Sequence, residues 1–290
     1  MPSRRRAWPA SASAIELGEP VPSALWLTLS TRPLSPGRFE ATEHTAGPWD
    51  PAHQHGGPPA ALLARAIEST RPRPQHQIAR IALDILGPIP LGELEVAAHL
   101  VRPGRSVELL EAELTAHGRP VMQATAWRVL IAPPDVPVDA SDPAPRIGPT
   151  DSPARELDLP EQWRSGYLQA IEWRLIEGNL LQPGPSAAWT RMRLPLVDDE
   201  PVSPVQRALV VADSGSGLSN VLDIRSWLFI NPDLTVHFTR PPRGEWIQLD
   251  AVTTVAPGTV GLARSTLSDV DGPVGFGTQS LLIAHRAVPR

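Results

Sequence analysis

The 290-residue chain contains no cysteine. That excludes a disulfide framework, a thiolate zinc site and a cysteine nucleophile, and it leaves the redox compartment open. No apolar run approaches the roughly 20 residues that span a bilayer. Arg4, Arg5 and Arg6 are followed by Ala, Pro and Ser rather than by an apolar stretch, so no secretory signal is expected and the chain reads as cytoplasmic. Charge of one sign is also lacking. The net charge of −5 and pI near 5.9 are an ordinary solubility balance and give no support for a nucleic-acid partner.

Two residue types stand out by presence. There are 35 prolines, clustered at Arg71–Pro74, Ala132–Pro145 and Pro241–Pro242, where they punctuate loops. Nine tryptophans stand against one tyrosine, and they read mostly as core or interface filler, with Trp227 and Trp246 as candidates to line an apolar pocket. Apolar residues make up 41% of the chain, enough for a sizeable core.

The most informative feature is an internal repeat. Ile81 to Ala132 and Leu234 to Ala284 share few identities but one layout. Each has a short apolar strand, a Pro-containing break and an alternating strand. A Pro-Gly turn, a second alternating strand, a polar turn with Gly and a final apolar strand follow. Pro88 answers Pro241, Gly104 answers Gly258, Gly118 answers Gly272 and Ala132 answers Ala284, at offsets of 153, 154, 154 and 152. Period-two alternation supports the strands. Leu94, Val96, Ala98 and Leu100 share a face, and Glu111 and Glu113 fall on the wetter face of theirs.

A helix precedes the strands in each half. His55-Gly56-Gly57-Pro58-Pro59 leads into Ala60–Ser69, with proline favourable at a first helical turn and a stripe at Ala60, Leu63, Ala64 and Ile67. Residues 204–213 are helical by composition, and Ser214-Gly215-Ser216-Gly217 supplies a stop. A strand comes before each helix, at about Phe39–Thr45 and Ala188–Leu194, and Gln162–Leu180 holds a short helix and part of the second repeat. The expectation is an α+β, double hot-dog architecture: two β-α-β-β-β-β repeats, each an antiparallel sheet around one central helix. Its boundaries are a flexible N-terminus 1–20, a first repeat 21–132, a Pro/Asp-rich linker 133–160 and a second repeat 161–290 carrying the site.

At these residues the sequence resembles the TesB-like acyl-CoA thioesterases, over roughly residues 20–286. The carriers are HQHGGPPAALLARA in the first repeat, and VVADSGSG, INPDLTVHFTRPP and FGTQSLLI in the second. The resemblance implies hydrolysis of fatty acyl-CoA to fatty acid and CoA in fatty acid metabolism, without a cofactor, by a homo-oligomer. It puts the family's Asp on Asp213 and its Gln on Gln279. The family's Thr or Ser position falls on Asn231, a departure from its pattern. The first-repeat position answering Gln279 is about Trp127, so that half is expected to lack the polar set.

Thioester hydrolysis needs an oriented, activated water and stabilisation of the oxyanion. Asp213 is assigned to the water's proton, and Asn231 and Gln279 to its position. His55, Gly56 and Gly57 are assigned to the substrate, with free N–H groups at the helix start suited to a carbonyl or phosphate oxygen. Arg240 is the first choice for a CoA phosphate, with Arg243, Arg71, Arg73 and Arg80 behind it. Each has a plainer reading: Asp213 as a helix-end carboxylate, Asn231 as a turn residue before Pro232, Gly56-Gly57 as a tight start to a buried helix. A buried Gln279 demands partners under either reading. His53 and His55 without a spaced carboxylate are weak metal ligands. Gly215-Ser216-Gly217 lacks the G-x-S-x-G elbow of a serine hydrolase. A hot-dog dehydratase and a non-catalytic acyl-CoA or acyl-carrier binding protein are the competing functions.

Overall fold

A computed structural model describes residues 31–137, 147–152, 166–179 and 182–286, so the expectation for residues 1–20 lies outside the described residues. The alternating segments form strands. The first half contains β1 (Thr31–Ser35), β2 (Arg38–Ala41), helix α1 (Gly57–Ser69), β3 (His76–Ile85), β4 (Gly92–Arg102), β5 (Val107–Ala116) and β6 (Arg119–Leu130). The second contains α2 (Tyr167–Ala170), β7 (Ile171–Asn179), β8 (Gln182–Met192), α3 (Pro204–Ala212), α4 (Gly215–Leu218), β9 (Trp227–Ile230), β10 (Asp233–Phe238), β11 (Trp246–Val255), β12 (Gly261–Asp269) and β13 (Gly272–His285). Among the described residues, no helix is long and apolar enough to cross a membrane.

All strands join one antiparallel sheet in the order β1-β2-β4-β5-β6-β3-β10-β13-β12-β11-β8-β7, with β9 paired to the end of β13. Outward from the β3–β10 junction the order reads alike in both directions. The ladders keep one offset. Leu110 faces Ala126, and 153 residues later Ala263 faces Gln279. The register shift between Leu114 and Thr115 recurs between Leu267 and Ser268, again 153 residues on. Ala126, not Trp127, is therefore the counterpart of Gln279. The offset of 152 came from Ala132 and Ala284, which stand past the end of β6 and beyond the β12–β13 ladder, where β13 pairs with β9 instead and the repeated ladder no longer sets the register.

The two long helices pack against each other and against the sheet, α1 on β4, β5 and β6 and α3 on β11 and β12. The predicted stripe of α1 is fully buried, and so are Ala61 and Leu62, because the helix touches β4, β5 and β6 on one side and α3 on the other. Each large apolar side chain so buried contributes about 1.5–3 kcal/mol. The helices run antiparallel, with the start of α1 beside Val210 near the end of α3, and Glu68 near the end of α1 beside the start of α3.

At that second meeting point Ser203 and Gln206 form a capping box on α3. Glu68 accepts hydrogen bonds from Ser203 Oγ at 2.9 Å and Gln206 Nε2 at 2.7 Å. Burial holds the Glu68 carboxyl above the ordinary glutamate range, against the two hydrogen bonds, which lower it. For an acid raised in the fold, protonation favours the fold. Its stabilising effect is complete below the unfolded pKa and is lost as pH rises through the folded value. Glu68→Gln is expected to remove that loss, leaving a flatter melting temperature across weakly acidic pH than the wild type shows in thermal melts.

Several local expectations are corrected. The strand placed at Phe39–Thr45 is β2 followed by a 3-10 turn, Glu43–Thr45. The strand placed at Ala188–Leu194 is longer and earlier, as β8. Ser214-Gly215-Ser216-Gly217 does not reverse the chain. Asp213 stays right-handed at φ −66°, and α4 follows at once. Tertiary partners decide this, since Gln279 Oε1 accepts the Ser216 N–H at 3.0 Å.

Candidate functional site

Asp213 caps the end of α3 and is 7% exposed. Asn231 directly follows β9 and precedes Pro232, which disfavours a helical backbone at that position. Gln279 lies on β13 and points inward between the exposed Thr278 and Ser280. These three separate stretches converge. Asn231 Nδ2 donates to Asp213 Oδ1 at 2.8 Å, and Gln279 Nε2 donates to the same oxygen at 3.2 Å. Gln279 Nε2 also donates to the Asp213 carbonyl at 3.0 Å, and its Oε1 is taken by Ser216 N–H. The Gln279 amide is thus spent on Asp213 and α4. Asn231 Nδ2 also donates to the Asp233 carbonyl at 3.1 Å, which leaves its Oδ1 as the group's open acceptor.

The carboxylate is consequently asymmetric: Oδ1 is held twice and Oδ2 faces the other half of the chain. A methyl group on Gly56 would lie 2.7 Å from Oδ2. One on Gly57 would lie 2.0 Å from the Val210 carbonyl oxygen. The two glycines therefore do different things. Gly57 lets the backbones of α1 and α3 touch, and Gly56 lets the start of α1 approach the carboxylate. Among the described residues, the Gly56 N–H has no hydrogen-bond partner.

His55 completes this wall. Its Nδ1 accepts the Gly57 N–H at 3.1 Å and stands 3.4 Å from Asp213 Oδ2. Its ring stacks on Tyr167, with centroids 3.7 Å apart and planes at 6°. Burial pushes its pKa below the usual histidine value, although the Asp213 charge acts the other way. The Tyr167 hydroxyl donates to the Val210 carbonyl at 2.9 Å and lies 2.8 Å from Ser214 Oγ, which is 3.5 Å from His55 Nε2. Burial raises the Tyr167 phenol far above its ordinary pKa, so it stays protonated.

These groups open onto a cavity of about 610 Å³, within the roughly 300–1,000 Å³ of small-molecule sites. His55, Gly56, Asp213, Ser214 and Asn231 supply its polar wall, and Trp49, Ile89, Leu168, Trp173 and Phe229 much of its apolar one. Gln279 does not line it; it lies behind Asp213. The lining tryptophans are Trp49 and Trp173. Trp227 instead stacks on His285, and Trp246 packs against Arg174 and Arg191.

The arginines singled out in the sequence are engaged elsewhere. Arg240 pairs with the fully buried Asp269 at 2.5 Å and 2.7 Å, and Arg243 donates its backbone N–H to the same carboxylate. Arg73 pairs with Glu108, and Arg80 donates to Thr125. None of them, nor Arg71, lines the cavity. Arg286, which sequence reasoning passed over, lies over the ring of the lining Trp49 at 5.0 Å, with its Nε buried and without a hydrogen-bond partner among the described residues. His53 pairs with Asp50 at 3.0 Å. Among the described residues, no three metal-ligating side chains stand close enough to hold an ion. Tyr167 and Ser214 were also missed. The one available signal was that Tyr167 is the only tyrosine, and that gives no clue to its partner.

Comparison with known proteins gives two sequence matches. Residues 45–129 match the acyl-CoA thioesterase N-terminal domain family, and residues 148–283 match the acyl-CoA thioesterase C-terminal domain family. A search of curated proteins found no match. Solved structures share the fold. A conserved protein of unknown function with a hot dog fold from Alicyclobacillus acidocaldarius aligns at TM-score 0.66 and 17% identity, over 87% of this chain and 93% of that one. An acyl-CoA thioesterase II, TesB2, from Mycobacterium marinum aligns at 0.64 and 17%, over 90% and 97%. A tesB protein from Mycobacterium avium subsp. paratuberculosis aligns at 0.61 and 17%, over 89% and 97%. At these identities the likeness establishes the hot dog fold.

Proposed function

The chain belongs to the acyl-CoA thioesterase family, and from that premise we propose that it hydrolyses a fatty acyl-CoA to fatty acid and CoA at Asp213. One observation carries the reading: the free oxygen of a buried carboxylate, Oδ2, faces the start of α1 on the wall of an apolar cavity, where the Gly56 N–H has no hydrogen-bond partner among the described residues. A water donating to Oδ2, with its second proton toward Asn231 Oδ1, is aimed at a thioester carbon in that cavity. As it attacks, Asp213 takes its proton, and the Gly56 N–H at the helix start receives the growing negative charge on the carbonyl oxygen. Collapse of the tetrahedral species breaks the C–S bond, and the proton on Asp213 passes to the departing thiolate. Gln279 fixes the carboxylate from behind. Arg286, over Trp49, is the cation we assign to the carrier's phosphates.

We read the sheet as a double hot dog with repeats 21–132 and 161–290 and the connector 133–160. The symmetric strand order and the constant 153-residue offset support it. In this reading each chain holds one composite site, with His55, Gly56 and Gly57 from the first repeat and Asp213, Asn231 and Gln279 from the second. At the equivalent place in the first repeat Ala126 replaces Gln279. Arg128, paired with the buried Glu108, caps the Thr70 carbonyl at the end of α1 at 3.0 Å. A charged pair there does structural work and leaves no free carboxylate oxygen for water. Assembly into a homo-oligomer would proceed from the two outer edges, β1 and β7.

Thiol release from a chain-length series of acyl-CoAs, read with a thiol dye, tests the proposal without background from the cysteine-free protein. Turnover is expected, and Asn231→Ala is expected to lower kcat about 10- to 100-fold, at the low end of what positioned polar groups contribute to proton transfer. Tight binding of acyl-CoA with no thiol released would replace the hydrolase reading with the binding-protein reading.

A further inference from the structure

The hydrogen bonds around His55 form a chain whose two ends are backbone groups of fixed polarity. At one end the Gly57 N–H can only donate, and at the other the Val210 carbonyl can only accept. Everything between is then directed. Gly57 N–H donates to His55 Nδ1 at 3.1 Å, so Nδ1 carries no proton. The ring proton is on Nε2 and points to Ser214 Oγ at 3.5 Å. Ser214 donates to the Tyr167 oxygen at 2.8 Å, and Tyr167 donates to Val210 at 2.9 Å.

This direction matters because of the 3.4 Å contact between Nδ1 and Asp213 Oδ2. A proton on Nδ1 would be donated to Oδ2, the one carboxylate oxygen not already held. We propose that Tyr167 and Ser214 are positioning residues for the reaction: acting through His55, they keep its proton on Nε2 and so keep Asp213 Oδ2 free to take the proton of the attacking water. The proposal rests on the hydrolase reading above. It also rules Ser214 out as a nucleophile, since a Ser-His-Asp relay needs a bare Nε2 and a proton on Nδ1, the reverse of this arrangement.

The stacked rings give the device rigidity. Tyr167 is fully buried, and its face fixes the plane in which both imidazole nitrogens lie. The titratable groups facing His55 are Asp213 from the end of α3 and Tyr167 from α2. Asp50 and His53, on the same cavity wall, are paired with each other. Burial of the ring reinforces neutrality.

Tyr167→Phe keeps the stacking and deletes the hydroxyl. Ser214 then loses its acceptor and is free to donate to Nε2, which drives the ring proton to Nδ1 and onto Asp213. The ring nitrogens are read by ¹H–¹⁵N correlation, with His55 assigned by comparison with His55→Gln. The wild type is expected to show a bare Nδ1 and a protonated Nε2 at neutral pH. Tyr167→Phe is expected to show a protonated Nδ1. Its kcat is expected to fall about ten-fold with KM little changed.

Ser214→Ala is expected to reproduce these changes, and it carries the test if Tyr167→Phe fails to fold. Ser214→Thr, which retains the oxygen, is expected to keep the Nε2 signature. A proton on Nδ1 in the wild type, or wild-type tautomer and kcat in both Tyr167→Phe and Ser214→Ala, would overturn the proposal. If the wild type releases no thiol from any acyl-CoA, the hydrolase reading fails instead, and the nitrogen signals still report on the chain of hydrogen bonds.

Discussion

Asp213→Asn is expected to lower kcat about a thousand-fold while leaving the fold in place. The amide is isosteric, and its oxygen can occupy the Oδ1 position and keep the hydrogen bonds from Asn231 and Gln279. The backbone carbonyl that Gln279 also caps is untouched. The NH2 group then stands where Oδ2 was, beside the bare Nδ1 of His55, and it cannot take a proton from water. General-base catalysis is typically worth about 10²–10⁴ in rate. Thiol release, thermal melting and acyl-CoA binding on the same sample separate the possibilities. Retention of a tenth or more of the wild-type kcat with unchanged melting would remove Asp213 from the chemistry.

Gly57→Ala is expected to cost more than about 3 kcal/mol of stability, or to prevent folding, because overpacking at a rigid contact is at the severe end of core substitutions. The added methyl would stand 2.0 Å from the Val210 carbonyl oxygen, which is backbone where the start of α1 packs on the end of α3. Neither side can yield without separating α1 from α3. Gly56→Ala provides the contrast. Its methyl meets the end of a side chain, the Asp213 carboxylate, so activity is expected to fall further than stability. Denaturant titration of both variants, with kcat for Gly56→Ala, reads the difference. A Gly57→Ala protein as stable as the wild type would mean that the helices do not touch as described.

Strand faces were legible because alternation and burial are the same fact on a sheet: Leu94, Leu110, Leu114, Ile247 and Leu249 all point inward as their spacing demands. The start of α1 was legible from its prolines. Gln279 announced itself as a polar residue in an apolar strand, whereas Asp213 and Asn231 became candidates only through the family resemblance. The direction of Gln279 was not legible. A strand residue's side is set by period, but whether its amide meets water or a carboxylate is set by the helix packed against it. The same limit hid α4, whose Ser-Gly-Ser-Gly reads as a breaker until Gln279 is there to hold Ser216. It hid Tyr167, whose stacking partner belongs to the other half of the chain. Gly56 and Gly57 are one letter repeated, and nothing local separates a helix contact from a carboxylate contact.

The order of the strands has a bearing on where the molecule can loosen. A long open ladder frays from its outer rungs, since terminal strands have neighbours on one side only. Here those rungs are β1 and β7, whereas Gln279 lies on β13 and Asn231 leads into β10, both beside the central junction with β3. Breathing at either rim can thus proceed without disturbing the carboxylate or its two amide supports. The price is symmetry: whatever moves to admit substrate must come from the loops and helices laid across the sheet, because the strands beneath the chemistry are the last to part.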